Sequence, residues 1–174
     1  MNTGAEAVET AIKAARRWGY FSKGIKENKA EIIVANGNFH GRTTTIVGFS
    51  SDPEYRKGFG PFSGGFLEAD YCNTNCECSK VCEKSIGSIK NLISKNTCAV
   101  IVEPIQGEGG IITPQKGWLE QLRKLCTDNN ILLILDEIQS GLARTGELFA
   151  FQHENIMPDG LILGKALGGG LLPV

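Results

Sequence analysis

Residues 131 to 135 read Ile-Leu-Leu-Ile-Leu, an unbroken apolar run that stops at Asp136. A strand with one wet face alternates polar and apolar residues. A run without alternation suits a sheet covered on both faces, which is the setting of parallel strands between helices. Cys98 to Val102 is a second compact apolar strand, ending in Glu103-Pro104, and the Ile- and Val-rich Glu31 to Ala35 is another. Gly160 to Leu163 is expected as a further strand. The intervening stretches have helical period. From Ala5 to Trp18, Val8, Ala11, Ile12, Ala15 and Trp18 form one face, while Glu6, Glu9, Lys13, Arg16 and Arg17 fill the other. Thr3 with Glu6 fits a capping box at its start. Trp118 to Thr127 places Trp118, Leu119, Leu122, Leu125 and Cys126 on one side, and Lys84 to Lys95 is expected as a third helix. Ser50 to Gly65, rich in Gly and Pro, reads as irregular surface chain. Buried strands alternating with amphipathic helices define an α/β fold with a mainly parallel sheet, and 174 residues are enough for one domain with a real core.

Composition narrows the function. A formal net charge of -1 gives no electrostatic case for nucleic acid or an anionic membrane. No apolar run reaches the length of a membrane-spanning helix. Met1-Asn2-Thr3-Gly4 does not form a secretory or transit peptide, and six cysteines without such a signal point to reduced thiols. The expected compartment is the cytoplasm, or the mitochondrial matrix if a presequence has been lost.

Three candidate chemical groups follow apolar strands: Glu103 to Glu108, Asp136 to Gln139, and Lys165. In open α/β sheets, ligands gather beyond the carboxyl ends of the strands. A carboxylate at Asp136 is partly desolvated and needs a cation, a role that a protonated pyridine nitrogen would fill. Asp136 alone reads equally as a helix cap or a structural ion pair. Lys165, between Leu163-Gly164 and Ala166-Leu167-Gly168, presents an amine that could attack a carbonyl, and alone also reads as a lysine snorkelling from a strand end. Thr3-Gly4-Ala5 opens the first helix, where free N–H groups make a phosphate seat. No G-x-G-x-x-G and no P-loop lysine is present, which disfavours dinucleotides and nucleoside triphosphates.

Five ordered stretches resemble class III aminotransferases. They are Asn2-Thr3-Gly4-Ala5-Glu6-Ala7, Asn38-Phe39-His40-Gly41-Arg42-Thr43, Glu103-Pro104-Ile105-Gln106-Gly107-Glu108, Asp136-Glu137-Ile138-Gln139-Ser140-Gly141-Leu142 and Leu163-Gly164-Lys165-Ala166-Leu167. Arg17-Trp18-Gly19-Tyr20, Gly58-Phe59-Gly60-Pro61 and Leu142-Ala143-Arg144-Thr145-Gly146 are similar to the ornithine-using subgroup. The resemblance implies pyridoxal 5'-phosphate as cofactor, with Lys165 as its Schiff-base lysine and proton shuttle and Asp136 as partner of the ring nitrogen. It implies Gln139 near the phenolic oxygen, Thr3, Gly4 and Ala5 at the phosphate, and Phe39 with His40 at the ring. Arg42 would bind a substrate carboxylate, and Glu108 would act as an acidic switch that pairs with a distal arginine. The implied reaction moves the δ-amino group of ornithine to 2-oxoglutarate, giving glutamate semialdehyde and glutamate, in a homodimer.

The resemblance also implies that residues 1–174 are part of a large cofactor-binding domain. The family's N-terminal segment and C-terminal small domain have no counterpart in this sequence, and a chain so truncated is expected to be inactive alone. The region Cys72–Gly87 reads as an insertion. Its Cys72, Cys76, Cys78 and Cys82 are read as incidental thiols of a surface loop, with a zinc site or a labile disulfide as the alternative. Acetylornithine, GABA or another ω-amino acid as donor is the rival reading within the family. A metal-binding α/β domain and a catalytically dead fragment are the readings from other classes.

Overall fold

The structure, a computed structural model, describes residues 1–74 and 81–174, and of Val81 and Cys82 the backbone alone. Helix α1 (Gly4–Phe21) leads into strand β1 (Glu31–Ala35), followed by the short helices α2 (Thr44–Val47) and α3 (Pro53–Arg56) and strand β2 (Phe66–Ala69). Then come α4 (Val81–Leu92), β3 (Thr97–Val102), α5 (Trp118–Asp128), β4 (Leu132–Asp136) and β5 (Gly160–Ile162). The strands form one sheet in the order β2-β1-β3-β4-β5, and every pairing is parallel.

Unbroken apolar strands are explained by two cores, one on each face. Ile33, Ala35, Val100, Val102, Leu133 and Leu135 point to the side of α4 and α5, against Ile89, Trp118, Leu119 and Leu122. Their neighbours Ile32, Val34, Ala99, Ile101 and Ile134 point the other way, against Val8, Ile12 and Ala15 of α1. Each such side chain contributes roughly 1.5–3 kcal/mol by leaving water, so neither face can be left uncovered.

Three local expectations are corrected. The Ser50 to Gly65 stretch, expected to be irregular, contains the helical turn α3, capped by Asp52, whose carboxylate accepts from the Glu54 amide at 2.9 Å. Strand β2 was not expected at all. At the start of α1, Thr3 Oγ1 accepts the Glu6 amide at 3.2 Å, but the Glu6 carboxylate reaches past Thr3 to the Asn2 amide at 2.6 Å, so the box is not closed on a single residue.

The strand order sets the position of the site. The chain leaves β1 toward β2 on one side and returns to place β3 on the other. The carboxyl ends of β1 and β3 therefore border a topological switch point, where loops diverge and leave a crevice. Among the described residues, no helix is long and apolar enough to cross a membrane.

Candidate active site

Three carboxyl-end positions converge at that crevice. Asp136, the last residue of β4, lies with its Oδ2 2.6 Å from His40 Nδ1, and the two side chains are 3% and 0% exposed. Its Oδ1 accepts the Ile138 amide at 3.0 Å, which closes a turn rather than capping a helix, because no helix directly follows β4 here. Its partner within this chain is the His40 imidazole, whose charged form it favours. Glu103 follows β3 and is 5% exposed. Its Oε2 accepts the Phe39 amide at 3.1 Å and its Oε1 the Gly107 amide at 3.5 Å.

Charge and burial compete in this cluster. Burial pushes the Glu103 carboxyl up to about 7; His40 and the two amides oppose the rise, and the Asp136 charge adds to it. For His40, burial works against the charged form. The hydrogen bond and charge of Asp136, with the charge of Glu103, outweigh it and hold the imidazole above its ordinary value. The other ring nitrogen, Nε2, is buried with no hydrogen-bond partner among the described residues.

Helix α1 points its first turn at the same place. The amides of Gly4 and Ala5 belong to the first turn, whose N–H groups have no carbonyl one turn back to meet. Close approach is possible because a Cβ on Gly4 would sit 2.7 Å from Ile138 Cδ1, and one on Gly164 would sit 3.3 Å from the Gly4 Cα. Lys165 follows directly, at φ +43° in the left-handed region. The sequence placed it near buried surface, but it is exposed at the cleft.

A cleft of about 280 Å³ joins these parts. It brings together the expected Thr3, Gly4, Ala5, Phe39 and His40 with Asp136, Gln139 and Lys165. Glu103 also lines it, although as a single residue it carried no expected role. The signal that could have found it is its place directly after an apolar strand, the same place that singled out Asp136. A larger groove of about 660 Å³ lies between α1 and β5, but it is lined by groups such as Ala11, Trp18, Leu132 and Ile162, with Asp159 its one ionisable side chain.

Arg42 and Glu108 do not line the 280 Å³ cleft. Arg42 is exposed and stacks its guanidinium 4.8 Å from the Tyr55 ring centre and 5.8 Å from that of Phe39. Glu108 accepts a hydrogen bond from Gln139 Nε2 at 3.2 Å at the rim. Phe39 thus divides the cleft from the arginine, and Gln139 divides it from Glu108.

Of the four clustered cysteines, Cys76 and Cys78 lie outside the described residues, as does the side chain of Cys82. Cys72 is fully buried, and its Sγ accepts the Gln115 amide at 3.4 Å. Its surroundings are core rather than loop. Among the described residues, no group of three or more His, Cys, Asp or Glu could hold a metal ion.

Comparison with known proteins agrees with this architecture. The family description "Aminotransferase class-III" matches residues 1–174. The chain is 54% identical over its whole length to ornithine aminotransferase 2 of Staphylococcus saprophyticus, of which it covers 41%. The crystal structure of the Toxoplasma gondii ornithine aminotransferase superposes with a TM-score of 0.91 at 44% identity, covering 99% of this chain and 38% of that one. The acetylornithine aminotransferase of Elizabethkingia anophelis is 50% identical with a TM-score of 0.76, over 99% of this chain and 39% of that one. The chain belongs to the class III aminotransferases, a pyridoxal-phosphate-dependent family. It spans about two-fifths of the length of the curated relatives it matches.

Proposed function

We propose that this chain is the cofactor-binding part of an enzyme that transfers the δ-amino group of ornithine to 2-oxoglutarate, giving glutamate semialdehyde and glutamate. The observation that carries the reading is the meeting, in one cleft, of a buried anion at Asp136, a primary amine at Lys165 and the amides that open α1. Pyridoxal phosphate fits this donor set. Gly4 and Gly164 leave backbone where a Cβ would intrude, and His40 Nε2 offers a buried polar atom that lacks a partner among the described residues. When bound, the cofactor supplies an electron sink for the carbon that bears the amine.

The chain's own residues do the rest. Lys165 provides the amine that holds the cofactor's aldehyde carbon, and its exposure lets it move a proton to or from a substrate. Asp136 keeps a negative charge where the ring nitrogen binds, with His40 fixing the orientation of its carboxylate. Thr3, Gly4 and Ala5 seat the phosphate through N–H groups and the helix dipole. Phe39 packs on the ring face. Gln139, which here donates to Glu108, would donate toward the phenolic oxygen of the cofactor. Arg42, steadied against the rings of Tyr55 and Phe39, would take a substrate carboxylate. Glu108 acts as the switch at the rim.

We read residues 1–174 as part of the large domain of a homodimer, with Cys72–Gly87 an insertion in it. Acetylornithine as amine donor is the second reading, favoured by the 50% identity to an acetylornithine aminotransferase. The test is a visible absorbance titration of the full-length protein with pyridoxal phosphate, for wild type and Lys165→Ala, followed by turnover with each donor. A bound-cofactor band lost in the variant, with ornithine preferred, supports the proposal. A band that survives Lys165→Ala refutes the role of Lys165, and preference for acetylornithine refutes the donor.

A further inference from the structure

The loops after β1 and β3 flank the topological switch point, and one side chain joins them. Glu103 accepts the amide of Phe39 from the first loop and the amide of Gly107 from the second. Both bonds use carboxylate oxygens, one on each, so a single buried group fixes the approach of the two loops. Phe39 and His40 hang from one loop, and Gly107 precedes Glu108 on the other.

The same carboxylate lines the cleft with His40 and Asp136, and once ionised, from about pH 7, its charge favours the charged imidazole. The titratable groups around it come from each neighbouring element. They are His40 after β1, Tyr71 after β2, Asp136 at the end of β4, and Lys165 across the cleft after β5. Tyr71 donates its hydroxyl to the backbone carbonyls of Glu103 and Pro104, at 3.0 Å each, which pins the turn from which the carboxylate projects. Two buried carboxylates around one imidazole make an arrangement that packing alone does not require. A buried anion without compensation is unfavourable by several kcal/mol, and an apolar residue would fill the same space.

We propose that Glu103 is a positioning residue, which ties the Phe39–His40 loop to the Gly107–Glu108 loop and sets a second carboxylate beside the His40–Asp136 pair. This rests on reading the cleft as the cofactor site. Glu103 touches neither cofactor nor substrate in this scheme; it acts through His40 and Phe39. Its effect is to fix the face that Asp136 offers to whatever binds there.

The test uses the full-length protein without cofactor, as wild type, Glu103→Gln and Glu103→Ala. Two readouts are taken: the NMR titration of His40, assigned by its loss in His40→Gln, and hydrogen exchange at the Phe39 and Gly107 amides. Glutamine has the shape of glutamate but one acceptor oxygen and no charge. In Glu103→Gln, His40 is expected to titrate at lower pH than in wild type, and one of the two amides to exchange about tenfold faster. Glu103→Ala is expected to free both amides. If His40 titrates as in wild type in Glu103→Gln, the proposal is overturned, and Glu103 is no more than a loop strut. Pyridoxal phosphate binding is then measured on the same three proteins, with about tenfold weaker affinity expected in Glu103→Gln. Failure of the wild type to bind it defeats the reading of the cleft, while the His40 titration still decides the role of Glu103.

Discussion

His40 Nδ1 lies 2.6 Å from Asp136 Oδ2, and water reaches neither group to any useful extent. These residues are 96 positions apart, and the sheet brings them together at the ends of β1 and β4. Removing the histidine leaves a buried carboxylate with, among the described residues, the Ile138 amide alone to balance it. His40→Ala is therefore expected to destabilise the protein by roughly 3–5 kcal/mol, read by chemical denaturation. A loss under about 1 kcal/mol would mean that the pair is not buried as described.

Glu103 makes stability depend on pH. Below 4.5 both folded and unfolded chains hold its proton; above 4.5 the unfolded chain releases it, while the folded chain keeps it to about 7. The folded state binds more protons across that window, so stability falls as pH rises, by on the order of 3 kcal/mol in total. His40 acts in the same sense, because its folded value is raised: its contribution is present below 6.5 and fades as pH climbs through the folded value. Cofactor-free wild type is expected to lose stability relative to Glu103→Gln between about pH 4.5 and 7. Parallel stability curves for the two proteins would contradict this.

Lys165 sits at φ +43°, a conformation that costs a residue with a side chain about 1 kcal/mol or more. Lys165→Gly is expected to be more stable than Lys165→Ala by about 1 kcal/mol in thermal or chemical melts. Both variants are expected to lose the cofactor's visible band. Equal stability of the two would show that the backbone there relaxes out of the left-handed region.

Glu137 is buried and accepts three bonds: from Ser140 Oγ at 3.0 Å, the Ala150 amide at 2.8 Å and the Phe151 amide at 3.0 Å. It ties the chain after Gln139 to the turn at Ala150. Glu137→Ala orphans two buried amides and is expected to cost about 2–4 kcal/mol, with Glu137→Gln recovering part of it. Wild-type stability in the alanine variant would sink this account.

Sequence and structure agree most closely where burial writes a long pattern. The apolar runs at β3 and β4 and the helical stripes of α1 and α5 are dictated by the need to fill both faces of the sheet, and one chain carries that need in plain order. Strand β2 escaped because Phe66-Leu67-Glu68-Ala69 is short, sits at the sheet edge and buries only Ala69 fully. Helix α3 is a single turn, with no period to detect, although Asp52-Pro53 has the form of a helix start. At the site, Asp136, Lys165 and the start of α1 were legible from their places at element ends. The Asp136–His40 bond, the clamp made by Glu103 and the stack of Arg42 on Tyr55 were not, because each joins segments whose meeting depends on strand order.

Gly164 packs against the Gly4 Cα, so the seat at the start of α1 borders a residue 160 positions later. The amides that would grip an anion precede their wall in the chain by most of the sheet. A nascent chain carries one half of the seat until Gly164 and Lys165 have left the ribosome and β5 has joined the sheet. Any ligand that needs both halves therefore reports on the docking of β5 beside β4 rather than on the presence of its first contacts.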